Sequence, residues 1–404
     1  MSKPLEGFKV VEIAQEIQGP FAGLLLADMG ADVIKVENKE TGDLSRWMLT
    51  SLIGGGEVKN STVSHYFIAM NRGKRSIAAD LKKPDAIEMV RRLVKSADVL
   101  LTNYRPGVLD RLGLGYDALT AINPRLVFAQ GSSWGPMGPW VTRPSRDTLA
   151  QAASGIMAKT GMPSDPPLAA GILLADHTGA LSLANGILAA LVGRERTGKP
   201  QRVDASIYGT MIAIQGMEIN YTSLTGLEPE RAGRGHQFLH GVWGAFRTRD
   251  GHLCLAGVDE KRWPAFCKIL GIQHLEKDPQ YSDNVTRNFH GDKIQAVLDE
   301  IFPTRSTREW LTELHEADIL ATEVVDYRTM LHSEQARTNG YLLELDHPTA
   351  GKVLVAGTPV AINREVAHEA RMPPELGQHV EEVLLEIGYD WEQIAALRES
   401  GAIL

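Results

Sequence analysis

The chain has 404 residues, more than one hydrophobic core usually organises, so two domains are expected, each able to fold without staples. Two cysteines, Cys254 and Cys267, are too few for a disulfide framework and fit no metal-ligand spacing, which favours a reducing, cytoplasmic setting and no bound metal. A net charge of -8 and the lack of an apolar run of bilayer length exclude global attraction to nucleic acid or membranes, so an anionic ligand must be met by a local basic cluster.

In chain order, VVEIA (10–14) reads as a short apolar strand, PFAGLLLADMG (20–30) as a helix opened by Pro and closed by Gly, and DVIKVE (32–37) as a second strand. RSIAADL (75–81) is a third strand, followed by the amphipathic helix KPDAIEMVRRLVKSA (83–97). DVLLTN (98–103) and RLVFAQG (125–131) add two more strands. Strands alternating with helices of this length predict parallel βαβ units in a doubly wound α/β sheet. Residues 147–160 and 178–196 are Ala- and Gly-rich helices separated by the loop GMPSDPPLAAG, and QRVDASIYG runs from strand into helix. The polar, Gly-rich stretch 223–237 reads as a linker. After it, residues 243–258 form a hairpin about Arg249-Asp250-Gly251, and helical segments near 260–270, 293–302 and 307–317 complete a smaller α+β domain. Short strands and two amphipathic helices (374–387 and 391–400) follow, and periodicity alone assigns them to neither domain.

A doubly wound sheet invites a dinucleotide, but QEIQGPFAG follows the first strand where G-x-G-x-x-G would be required. No P-loop, H-E-x-x-H or nucleophile elbow is present either. Basic residues cluster in Asn71-Arg-Gly-Lys-Arg75 and in the segment from Asn103 to Arg111, which could seat phosphates or form a solvated basic edge. Glu37 to Asp43 is a charged loop of equally open meaning. In GILLADHTG (171–179), Asp176 follows an apolar run and precedes small residues. A carboxylate so placed is a nucleophile, a general base or the cap of a helix beginning at 178. His177 points away from it on either a strand or a helix.

Taken together, QGPFAGLLLADMGADVIKVEN, NRGKRSIAADLKKP, ADVLLTNYRPGVLDRLGLGYDAL, NPRLVFAQGSSWG, LAQAASGIMAKTG, LLADHTGALSLANGILAAL and ERTGKPQRVDASIYG resemble, in order and spacing, the family III CoA-transferases. That group includes formyl-CoA transferase, carnitine CoA-transferase and α-methylacyl-CoA racemase. The resemblance implies a Rossmann-like large domain built from 1–222 and 321–404, a linker at 223–240, a small α+β domain at 241–320, and two chains interlocked as a homodimer. It implies coenzyme A, carried as acyl-CoA, and a carboxylic acid as substrates. Asp176 falls at the catalytic aspartate, which attacks the thioester to form an anhydride and then an aspartyl-CoA thioester. Gln18, Asn38, Asn71, Lys74, Asn103, Tyr104, Arg105 and Arg111 fall where the family lines its coenzyme A site, with Arg146 and Asp147 nearer the reacting end. Arg105 and Arg111 suit phosphate, since a guanidinium fork matches its oxygens.

The chain departs from the family at three places. Asn38 stands where formyl-CoA transferase has arginine. Ser145-Arg146-Asp147 replaces the G-H-D segment that carries the racemase histidine, leaving a racemase or isomerase as the alternative activity and an inactive coenzyme A-binding scaffold as a third reading. AGVDEKRW (256–263) replaces a glycine-rich loop, so oxalate and formyl-CoA are not supported, while IQGPFAG and VIKVEN hint at the carnitine branch.

Overall fold

The computed structural model describes residues 3–49, 64–231, 233–236, 238–239, 241–366, 368 and 371–404. The chain begins with β1 (Lys9–Ile13), α1 (Gln18–Asp28), β2 (Asp32–Asn38), α2 (His65–Asn71), β3 (Arg75–Ala79), α3 (Pro84–Lys95), β4 (Val99–Thr102), α4 (Val108–Arg111), α5 (Tyr116–Ile122) and β5 (Val127–Ser132). Next come α6 (Asp147–Ala153), α7 (Ile156–Lys159), α8 (Leu174–Thr197), β6 (Gln201–Ser206), α9 (Ile207–Ala213) and α10 (Gly216–Thr225). The hairpin β7 (Trp243–Arg247) and β8 (His252–Ala256) leads to α11 (Trp263–Leu270), α12 (Asn284–Phe289), α13 (Gly291–Ile301), α14 (Thr307–Glu316) and β9 (Ala321–Glu323). A second hairpin, β10 (Leu342–His347) and β11 (Gly351–Ala356), precedes α15 (Val380–Glu386) and α16 (Trp391–Glu399).

Six strands form one sheet in the order β3-β2-β1-β4-β5-β6, every pair parallel. This is the doubly wound arrangement, with its reversal of strand order between β1 and β4. Both faces of such a sheet are covered, which is why its strands read as apolar runs. Val11, Ile34, Ile77, Leu100 and Phe128 face α3 and the C-terminal helices α15 and α16. Their neighbours Val10, Val33, Val99, Leu101 and Val127 face α1 and α8. Alternate residues of each strand thus serve opposite cores.

By compactness the chain divides into one unit of residues 1–154, 171–214 and 331–404 and another of 155–170 and 215–330. In the first unit, Arg75 at the sheet edge pairs with Asp32, Glu382 and Glu386, and Ala79 forms a β-bridge with Ile403, so the C-terminal helices are held to β3. In the second, β7, β8 and β9 form an antiparallel sheet over a core that includes Phe246, Leu255, Trp263, Phe266 and Trp310. The helix expected over 147–160 is two helices, because Gly155 adopts φ 93° between them. The segment after that break belongs to the second unit, where Arg231 donates to the Ala158 carbonyl at 3.2 Å. The helix expected from 374 starts only at Val380, after Pro373, Pro374 and the left-handed Gly377.

Candidate active site

The turn that joins β1 to α1 is tied at each backbone group that matters. Lys35 Nζ donates to the Ala14 carbonyl at 2.8 Å, and the Asn103 amide both accepts from Gln15 N (2.9 Å) and donates to Gln15 O (2.8 Å). The Glu16 N–H donates to Asp43 Oδ1 at 3.0 Å. Held this way, Glu16 adopts φ 63°, a left-handed conformation unfavourable for a non-glycine residue and common where function demands a fixed geometry. Gly19 permits the close turn, since a Cβ there would lie 2.5 Å from the Ala14 Cβ.

A buried charge cluster lies beneath this turn. Lys35 pairs with Glu12 and Asp43, both at 2.8 Å, and Lys74 pairs with the second Glu12 oxygen at 2.7 Å, all four side chains being fully buried. Burial would push Lys35 down, but the carboxylates of Asp43, Glu12 and Glu37 together outweigh it and raise its pKa. Lys74 is pushed down to about 8, chiefly by burial and against the pull of Glu12. Lys74 also donates to Pro20 O (2.8 Å) and Asn71 Oδ1 (2.9 Å). The basic segment 71–75 is therefore neither a solvated edge nor an open phosphate seat: Arg72 pairs with Asp28, and Arg75 with three carboxylates.

Asp176 lies in the first turn of α8, not at its cap. The helix begins at Leu174, four residues before the start expected from the sequence, with Leu173 at the N-cap position and no side-chain cap. The Thr178 hydroxyl donates back to Leu174 O at 2.6 Å, so it belongs to the helix interior. Asp176's own N–H donates across to Asp147 Oδ2 at 3.0 Å, and Asp147 Oδ1 accepts from Gln151 Nε2 at 2.5 Å. Arg146, 74% exposed at its side chain, makes a loose 3.5 Å contact with Glu16. The Asp176 carboxyl is pushed up from its ordinary 3.8 to about 7, first by burial, then by the Asp147 and Glu16 carboxylates, with Arg146 pulling it back. The helix N-terminus favours an anion there, yet burial and two like charges outweigh it.

Gln18 reaches the same neighbourhood: its amide donates to Ala205 O at 3.4 Å, and a Cβ on Gly179 of α8 would lie 3.3 Å from its Nε2. His177 turns away, with Nδ1 2.8 Å from Leu173 O and its ring edge-on to Phe21. Asn38 is exposed and accepts from the N–H groups of Glu40 and Thr41. Tyr104 receives Gln15 Nε2 at its hydroxyl (3.1 Å). Arg105 precedes the one-turn helix α4 and Arg111 ends it; both are exposed, and neither guanidinium has a hydrogen-bond or ion-pair partner among the described residues. Free forks beside the end of β4 fit a phosphate-bearing ligand.

Two neighbours of Asp176 were not singled out from the sequence. One is Glu16, whose left-handed position is not occupied by the glycine that would advertise it. The other is Tyr66 of α2, whose hydroxyl is pushed up to about 12 by burial first and then by Asp176, Glu16 and Asp147. A cavity of about 880 Å³ opens beside Lys74, lined also by Arg46, Trp47, Phe67, Arg371 and Met372, but not by Asp176, Asp147 or Glu16. The carboxylates are a better candidate for chemistry than this cavity, because an acid whose proton affinity is raised by identifiable neighbours is more specific than a void alone.

Comparison with known proteins finds relatives along nearly the whole chain. Residues 5–380 match the family described as CoA-transferase family III. The chain is 35% identical to an acyl-CoA transferase of Fusarium pseudograminearum, covering 99% of this chain and 88% of that one. It is 31% identical to human succinyl-CoA:glutarate CoA-transferase, over 99% and 90% respectively. Among solved structures, a CAIB/BAIF family protein from Brucella suis superposes with a TM-score of 0.84 at 30% identity, covering 96% of this chain and 100% of that one.

Proposed function

Because the chain belongs to the family III CoA-transferases, and is an enzyme of that kind, we propose that Asp176 is the nucleophile that carries CoA from an acyl-CoA to a free carboxylic acid. The observation that carries this reading is the field at Asp176: a carboxylate partly withdrawn from water, with two further carboxylates beside it, is more basic than an ordinary aspartate and correspondingly more nucleophilic.

The steps balance without any other reactant. The Asp176 carboxylate attacks the thioester carbonyl, the C–S bond breaks, and CoA thiolate leaves an acyl-aspartyl anhydride. The thiolate then attacks the aspartyl carbonyl, releasing the donor's carboxylate and leaving an aspartyl-CoA thioester. An incoming carboxylate attacks that thioester, forming a second anhydride and freeing the thiolate again. The thiolate takes the new acyl group, and the Asp176 carboxylate is restored. Withdrawal from bulk water limits hydrolysis of both intermediates.

We assign Arg105 and Arg111 to the CoA phosphates, since they are exposed and uncommitted. Asn71, Lys74, Asn103 and Tyr104 hold the wall on which CoA lies, Gln18 approaches the reacting end, and Asn38 shapes the loop after β2. The exposed apolar side chains of α10, Met217 and Leu224 among them, support a homodimer. The name of the human relative makes succinyl-CoA and glutarate the first donor and acceptor to try. The test is to incubate the protein with succinyl-CoA and a pool of carboxylic acids and identify the new CoA esters by mass spectrometry. Hydrolysis alone, or exchange of the α-hydrogen of a 2-methylacyl-CoA with no acceptor present, would reject transfer in favour of another activity.

A further inference from the structure

Helix α8 carries the nucleophile but has no cap of its own, so the first-turn N–H groups need acceptors from elsewhere. For Asp176 that acceptor is the Asp147 carboxylate, 3.0 Å away and only 2% exposed, braced by Gln151 one turn along α6. A serine, threonine or asparagine would satisfy the same N–H. A second buried carboxylate is the unfavourable choice in terms of stability, because two like charges in one site oppose each other's ionisation.

Building on the assignment of Asp176 as nucleophile, we propose that Asp147 is a positioning residue that fixes the first turn of α8 through the Asp176 N–H and sharpens the nucleophile with its negative charge, without touching CoA. This moves Asp147 out of the CoA-lining set in which the resemblance placed it. The other groups facing Asp176 are Glu16 from the β1–α1 turn, Arg146 just before α6 and Tyr66 from α2. Tyr208 of α9 packs beside the small core formed by Ala150, Ala175, Ile207 and Met211. His177 is committed to Leu173 O. Of these, Asp147 alone combines a hydrogen bond to the nucleophile's own backbone with a like charge.

The two roles separate in two variants of the full chain. Asp147→Asn keeps an acceptor oxygen and removes the charge; Asp147→Ala removes both. The readout is single-turnover release of CoA thiol from acyl-CoA, measured from about pH 5 to 9 together with KM and thermal stability. Asp147→Asn should leave KM within about twofold, lower the plateau rate by about tenfold and move the rise in rate to lower pH. Asp147→Ala should lose on the order of a hundredfold in rate, as expected for a misplaced nucleophile. An Asp147→Asn enzyme with an unchanged plateau and pH profile would overturn the proposal, as would an Asp147→Ala enzyme altered only in KM for acyl-CoA. Should Asp147→Ala fail to fold, Asp147→Asn decides. Asp176→Ala is run in parallel: its retention of transfer would remove the nucleophile assignment itself, whereas an inactive Asp176→Ala beside an unaffected Asp147→Asn removes only this inference.

Discussion

Replacing Asp176 by asparagine should make the protein more stable at alkaline pH while abolishing its chemistry. No described residue donates a hydrogen bond to the Asp176 carboxylate, so the nearly isosteric amide gives up no such contact. The sign follows from the proton affinities. The folded value of about 7 lies above the ordinary 3.8, so the folded state holds this proton more tightly than the unfolded chain does. Stability from this group is therefore highest below 3.8, falls as pH rises through the window between the two values, and carries the full penalty above 7. At about 1.4 kcal/mol per tenfold in affinity, that penalty reaches about 4 kcal/mol, and partial exposure to solvent reduces it to roughly 2. Urea unfolding of both proteins at about pH 5 and pH 8 reads it directly. Asp176→Asn should gain roughly 2 kcal/mol at the higher pH and clearly less at the lower. A gain that is absent, or that does not grow with pH, would mean that the carboxylate is solvated or paired and has no raised proton affinity.

Other outcomes follow from the same geometry. The rate of the first half-reaction should rise with pH through about 7 and then level, as Asp176 loses its proton, in stopped-flow measurements of thiol release. Arg105→Ala and Arg111→Ala should each raise KM for acyl-CoA by about tenfold while leaving kcat nearly unchanged, the loss of one charge-assisted contact that is uniform along the reaction. Lys35→Met strands the buried Glu12 and Asp43 carboxylates with Lys74 alone and should cost about 3–5 kcal/mol in urea unfolding. Gly19→Ala brings a methyl group 2.5 Å from Ala14 Cβ and should cost about 1–3 kcal/mol, with a matching fall in activity as the Glu16 turn shifts.

The sheet was legible because a strand buried on two faces is rich in apolar residues, as in the VLL of β4 and the VI of β2, and because helices fall between those strands. Asp176 was legible as an acid in apolar company, but the start of its helix was not. GILL carries no capping residue, and the acceptor that replaces one, Asp147, lies 29 residues away in sequence. Residues 71–75 carry no local sign that their charges are buried, since the partners Asp28, Glu12, Glu382 and Glu386 come from α1, β1 and the far C-terminal end. Glu16 was hidden for a related reason. Its left-handed backbone is held by Asp43 and by the flanking hold of Asn103 and Lys35, so the left-handed position itself carries no glycine to mark it.

The most direct measurement is peptide mass spectrometry after the protein has met an acyl-CoA and hydroxylamine with no acceptor acid present. A nucleophilic Asp176 gives an aspartyl hydroxamate at residue 176, formed from its thioester or anhydride, and gives none in Asp176→Asn. An unmodified Asp176 alongside active transfer to an added acid would contradict the account at its centre.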